Sequence, residues 1–110
     1  MASDRTELLP GTLDMLILKT LALQPMHGLG VARRIEQLTD GALQVPPGSL
    51  FPALHRLEQK GWIKGAWGES ENNRRAKYYR LTAAGQRRVG EERQNWSEVV
   101  LAIAKVMEAT

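Results

Sequence analysis

The sequence contains no cysteine and only two histidines, His27 and His55. A disulfide framework is therefore impossible, and a Cys/His zinc site is not expected. No apolar run approaches the roughly 20 residues that cross a bilayer, and the N-terminal stretch carries acidic residues and no apolar segment of the kind that directs export. These absences predict a soluble, cytoplasmic protein without metal or cofactor.

The chain is also too short for two independent cores. At 110 residues, of which 43% are hydrophobic, it can form one compact domain. No nucleophile, general base and orienting group occur together in a pattern that indicates catalysis, so an enzyme is not expected.

Positive charge is concentrated in one third of the chain. Residues 55–90 hold nine lysines and arginines against three glutamates, whereas the segments on either side are slightly acidic. The formal net charge of the whole chain is +3. A local excess of six positive charges predicts a surface that meets a polyanion, with scattered solvated side chains as the alternative.

Two helices are predicted in the first 40 residues. Apolar residues at helical spacing indicate a helix over 12–23, with Thr12 as a possible N-cap, and a second over 28–39. His27 is interpreted as a residue at the start of the second helix. Pro46 and Pro47 prevent any continuation into the third segment.

The third helix is predicted to begin with Ser49 as its N-cap, which places Pro52 harmlessly in the first turn. A start at Pro47 would instead put Pro52 inside the helix and predict a kink. A step of about 100° per residue separates two faces. The face predicted for the core comprises Leu50, Ala53, Leu54 and Leu57, and the outward face comprises Pro52, His55, Arg56 and Gln59.

A two-stranded hairpin is predicted to follow. "GWIKGAW" and "AKYYRL" are rich in aromatic and β-branched residues, and the polar stretch between them contains Asn72 and Asn73, which can turn. Trp62 and Trp67 are expected to pack the hairpin against the helices. Three helices and a hairpin with a basic tip form the order of a winged helix-turn-helix, whose third helix enters the major groove of DNA.

Thr82 is expected to cap a long final helix that extends to about residue 109. The first half, around Gly85–Val89, is expected to fold back on its own domain, and the second half exposes enough apolar surface to favour pairing with a second copy. The predicted dimer interface comprises Val89, Trp96, Val99, Val100, Ile103, Val106 and Met107. The fold class is thus mainly α with a small hairpin: residues 1–81 form the winged helix-turn-helix and residues 82–110 the dimerisation helix.

These segments resemble the PadR-like transcriptional regulators, in particular the short, acidobacterial type with a single dimerising helix. The resemblance rests on "GTLDMLIL", "MHGLGVARRI", "PGSLFPALHRLEQKGWI", "RRAKYYRLTAAG" and the terminal helix. It implies a homodimer that binds double-stranded DNA at a near-palindromic operator and usually represses. The family often has tyrosine where this chain has Phe51 and Leu29.

The candidate DNA-binding residues lie in the third helix and on the wing. They are Ser49, Pro52, His55, Arg56, Gln59, Lys60, Arg74, Arg75, Lys77 and Tyr78. Glu58 is interpreted as a structural ion-pair partner, because an acid facing phosphates would oppose binding.

Two alternatives to a plain DNA-binding dimer stay open. In some family members a tryptophan of the last helix lines a pocket for flat ligands, so Trp96 is a candidate site for a small-molecule effector as well as an interface residue. A winged helix can also serve protein contacts as an adaptor, although the unbalanced charge of "RRAKYYR" favours DNA.

Overall fold

A computed structural model describes residues 10–69 and 74–110. The predicted turn at Asn72 and Asn73 lies outside the described residues, as does the N-terminal stretch before Pro10. The elements follow in the order α1 (Pro10–Leu23), β1 (Met26–His27), α2 (Gly28–Leu38), α3 (Pro47–Gln59), β2 (Ile63–Glu69), β3 (Arg75–Leu81) and α4 (Ala83–Glu108). The predicted fold class, mainly helical with a small hairpin and a long last helix, is confirmed.

The core lies where α1, α2 and α3 meet and is closed by the sheet. The whole predicted inner face of α3 is buried in this core. Tyr79 and Ile63 add one side of the sheet to the same cluster. The largest fully buried side chains are Ile17, Leu18, Val31, Leu50, Leu54, Leu57 and Ile63.

The starts of the first two helices differ in how well the sequence predicted them. α1 begins at Pro10, so Thr12 lies inside the helix and the prediction of Thr12 as N-cap was wrong. A proline suits the first helical position because its missing amide would have no partner there. His27 stands at the start of α2 as interpreted, and the structure shows that it caps this helix: its Nδ1 accepts a hydrogen bond of 3.0 Å from the amide of Gly30.

α3 begins at Pro47, so the prediction of Ser49 as N-cap was wrong. Pro46 is extended (φ −70°, ψ 153°), as expected before a proline, and its carbonyl accepts from the amides of Ser49 and Leu50 at 3.0 Å each. The paired prolines therefore start the helix as well as separating it from α2. Pro52 lies in the second turn, where it has no amide to donate to the carbonyl of Gly48.

The sheet has three strands in the order β1–β3–β2, all antiparallel. The third strand, β1, was not predicted because two residues are too few to show an alternating pattern. Met26 pairs with Tyr79 and His27 with Tyr78. β1 thereby joins the start of α2 to the central strand of the wing.

The burial of α4 changes along its 26 residues, which span about 39 Å at 1.5 Å per residue. Thr82 caps it by accepting a hydrogen bond of 3.1 Å from the amide of Gly85. Gly85 and Val89 are buried in the core of their own domain, so the placement of Val89 in the dimer interface was wrong. From Trp96 onward the large apolar residues are exposed. No helix among the described residues is both long and apolar enough to cross a membrane.

Gly85→Ala should destabilise the protein, because a Cβ at this position would collide with the backbone carbonyl of Trp62 and with the side chain of Leu81. Overpacking of this kind costs about 1–3 kcal/mol in the free energy of unfolding, measured by urea denaturation. Gly90→Ala is the matched control in the same helix. A Cβ there meets open space, and the better helix former should stabilise by about 1 kcal/mol. Equal effects of the two substitutions would contradict the close approach at Gly85.

Candidate nucleic-acid interface

The outward face of α3 is a polar, solvent-exposed surface. Ser49, Pro52, His55 and Gln59 are all exposed, and the buried leucines on the opposite side fix this orientation. Side chains of different lengths with hydrogen-bonding tips suit a groove of base edges and phosphates. The structure therefore brings together four of the residues predicted for DNA binding.

Arg56 lies toward the edge of the outward face, and its side chain turns to α1. Its Nη2 donates to Oδ1 of Asp14 over 2.8 Å. The Asp14 side chain is 15% exposed and that of Arg56 42%. The Arg56 side chain is thus partly exposed to solvent, and its charge is partly balanced within the protein.

Lys77 lies where the wing meets α3. Its Nζ donates to Oε1 of Glu58 over 2.9 Å, and this hydrogen bond raises the pKa of Lys77 above its ordinary value. The interpretation of Glu58 as a structural partner is confirmed. Because the pair is partly exposed, it is worth little to stability. It does hold the wing against α3 in one orientation.

The basic tip of the wing is exposed. Arg74 and Arg75 both face solvent, and the guanidinium of Arg75 lies over the ring of Trp67, 5.2 Å from its centroid. Trp67 is 62% exposed, so the expectation that it packs the hairpin onto the helices was wrong. The side chains of β2 alternate between its two faces. Trp67 is on the same face as the buried Ile63 but lies beyond the edge of the core. Trp62 does pack against the core.

Two further candidate DNA-binding residues, Lys60 and Tyr78, make contacts away from the outward face of α3. Lys60 is exposed at the end of α3 with its Nζ over the ring of Trp62, 4.8 Å from the centroid. Tyr78 lies on the face of β3 opposite to Lys77, edge-on to His27, and its hydroxyl donates to the carbonyl of Glu69 over 3.2 Å. The described residues bring no three His, Asp or Glu side chains together as metal ligands.

The sequence of the chain matches a family model over residues 17–91, which is more than half of its length. The matching model describes the PadR-like family of transcriptional regulators. The chain belongs to this family.

Solved structures agree with this assignment. The chain is 29% identical to a transcriptional regulator from Clostridium thermocellum, with 86% of this chain and 89% of the other covered and a TM-score of 0.78. It is also 29% identical to a PadR family transcriptional regulator from Eggerthella lenta, covering 91% and 85% with a TM-score of 0.74. An uncharacterised protein of Lysinibacillus sphaericus shares 29% identity over 94% of this chain and 95% of its own. This PadR-like chain is accordingly a DNA-binding transcriptional regulator.

A cleft of about 350 Å³ separates α3 from the wing of this PadR-like regulator. Its walls carry three exposed apolar side chains, Leu29, Phe51 and Trp67, beside Arg75 and Lys77. None of the three was predicted as a site residue. The available signal was that Phe51 and Leu29 are apolar at positions where the family often has tyrosine.

A groove of about 400 Å³ lies between α1 and α4. Trp62 and Trp96 line it, together with Asp14 and Arg88. Arg88 lies over Trp62, 5.0 Å from the ring centroid, and pairs with Glu92 one turn further along α4. Trp96, which is 40% exposed, therefore borders both this groove and the exposed half of α4.

Proposed function

We propose that the protein is a sequence-specific repressor that binds a near-palindromic operator as a homodimer. The observation that carries the proposal is the arrangement of α3 and the wing: Phe51 of α3 and Arg75 of the wing border one cleft, and the Lys77–Glu58 pair ties the two elements together. In this geometry α3 enters the major groove, and Arg74 and Arg75 contact the neighbouring backbone or minor groove.

The C-terminal half of α4 supports the dimer. Its large apolar side chains remain in water in a single subunit, and several are more than half exposed. Contiguous apolar surface of this kind is typical of an interface between subunits. Residues 1–81 then form the DNA-binding unit and residues 82–110 the dimerisation helix, with the two α3 helices about 34 Å apart, one turn of B-DNA. Such a regulator works in the cytoplasm, where the operator is.

The salt dependence of DNA binding tests this arrangement at Arg75. Arg75→Ala removes one phosphate contact per subunit, so the slope of log affinity against log salt concentration should fall by about two for the dimer, with little change in sequence preference. Lys105→Ala is the matched control, because it removes a positive charge at the far end of α4. Fluorescence anisotropy of labelled duplexes at several salt concentrations measures both. Equal slopes for wild type and Arg75→Ala would contradict the wing contact.

Dimerisation is tested at Trp96. Trp96→Ala removes a large apolar side chain from the proposed interface, so the dissociation constant of the dimer should rise by at least tenfold, as measured by analytical ultracentrifugation. Glu98→Gln, at an exposed polar position on the side of α4 away from its exposed apolar residues, should leave the constant unchanged. A wild-type protein that sediments as a monomer at micromolar concentration would overturn the dimer.

A second candidate function is a response to a planar aromatic effector. The observation that favours it is the groove beside Trp96, since two tryptophans offer stacking surfaces there. Planar aromatic compounds should then quench Trp96 fluorescence in a Trp62→Phe, Trp67→Phe background and weaken operator binding. Quenching without any change in operator affinity would leave a binding groove with no regulatory role.

A further inference from the structure

The ion pair between Asp14 and Arg56 joins α1 to the recognition helix. In helical projection Arg56 lies between Pro52 and Ser49, about 40° around α3 from the centre of the outward face, counting about 100° per residue. A side chain of its length can reach the outward surface from there. The Asp14 side chain is 15% exposed, whereas that of Arg56 is 42% exposed. The Asp14 side chain is therefore held in place, whereas the Arg56 side chain remains accessible to a ligand.

A guanidinium has five N–H donors in a rigid planar fork. The contact with Asp14 uses one of them, on Nη2. A single carboxylate contact thus restricts the long side chain to one region and leaves donors for a second acceptor. Part of the conformational entropy that an arginine loses when it binds a base edge is already lost in the free protein.

Stability alone does not account for this pair. A salt bridge with one partner this exposed contributes little to folding, and a carboxylate close to DNA opposes binding unless its charge is matched. Asp14 satisfies that condition because it is mostly shielded and paired with Arg56 itself.

We infer that Asp14 is a positioning residue for DNA recognition: it holds Arg56 so that the remaining guanidinium donors face a base edge in the major groove. Asp14 itself does not touch DNA. The inference rests on the proposed function and adds a residue from α1, outside the helix-turn-helix surface, to the determinants of operator sequence.

The test compares the sequences that each variant selects from a random pool of duplexes. Arg56→Ala should lose preference at one position of each half-site and bind the wild-type operator about tenfold more weakly. Asp14→Ala should lose preference at that same position, with operator affinity reduced about three- to tenfold and affinity for unrelated DNA unchanged within about twofold. The double variant should bind like Arg56→Ala, because the two residues act as one unit.

Asp40→Asn is the matched charge control. Asp40 is exposed in the turn after α2 with φ +51°, which asparagine tolerates, and its loss should alter affinity for operator and unrelated DNA alike. If Asp14→Ala does not fold, Asp14→Asn keeps the shape and one neutral acceptor and should show the same positional loss in weaker form.

Three results would overturn the inference. They are a wild-type preference in the folded Asp14 variant, an equal loss of affinity for all sequences, and additive effects in the double variant. A wild-type protein that selects no sequence would instead refute the proposed function, so the two failures are distinguishable.

Discussion

The orientation of α3 is the constraint on which the rest of the interface depends. Its inner face is buried in the core, one flank is tied to α1 through Arg56 and Asp14, and the other is tied to the wing through Glu58 and Lys77. Neither pair adds much to stability at its exposure. The buried face fixes the rotation of the helix about its axis, the two pairs join its edges to the neighbouring elements, and that rotation decides which side chains can meet DNA.

Two of the positive charges on α3 and the wing are paired with carboxylates of the same subunit. Composition counts Arg56 and Lys77 as part of the basic excess, yet each has a carboxylate within 2.9 Å. In the proposed DNA complex, attraction to phosphates is expected from exposed cations that include Arg74 and Arg75 at the wing tip. There α3 would supply sequence discrimination through base contacts, while phosphate contacts position the protein.

The sequence predicted most of the fold because helical periodicity is a local signal. It identified the inner face of α3, the position of His27 at the start of α2, the cap at Thr82, and the point at which α4 leaves the core. It did not predict β1, since two residues carry no period, or the start of α3. Long-range facts were also missed, such as the Asp14–Arg56 contact across 42 residues and the exposure of Trp67, because no pattern along the chain encodes which elements become neighbours.

The exposed apolar side chains of α4 cover more of the helix than a simple two-stranded coiled coil would bury. At about 100° per residue, they extend from Val106 through Trp96 to Leu101 over an arc of about 220°, whereas a coiled-coil seam is a narrow stripe. Pairing with the α4 helix of a second subunit alone would leave Leu101, which is 64% exposed, in water. In the proposed dimer α4 therefore needs a contact beyond the partner's α4 to cover Leu101.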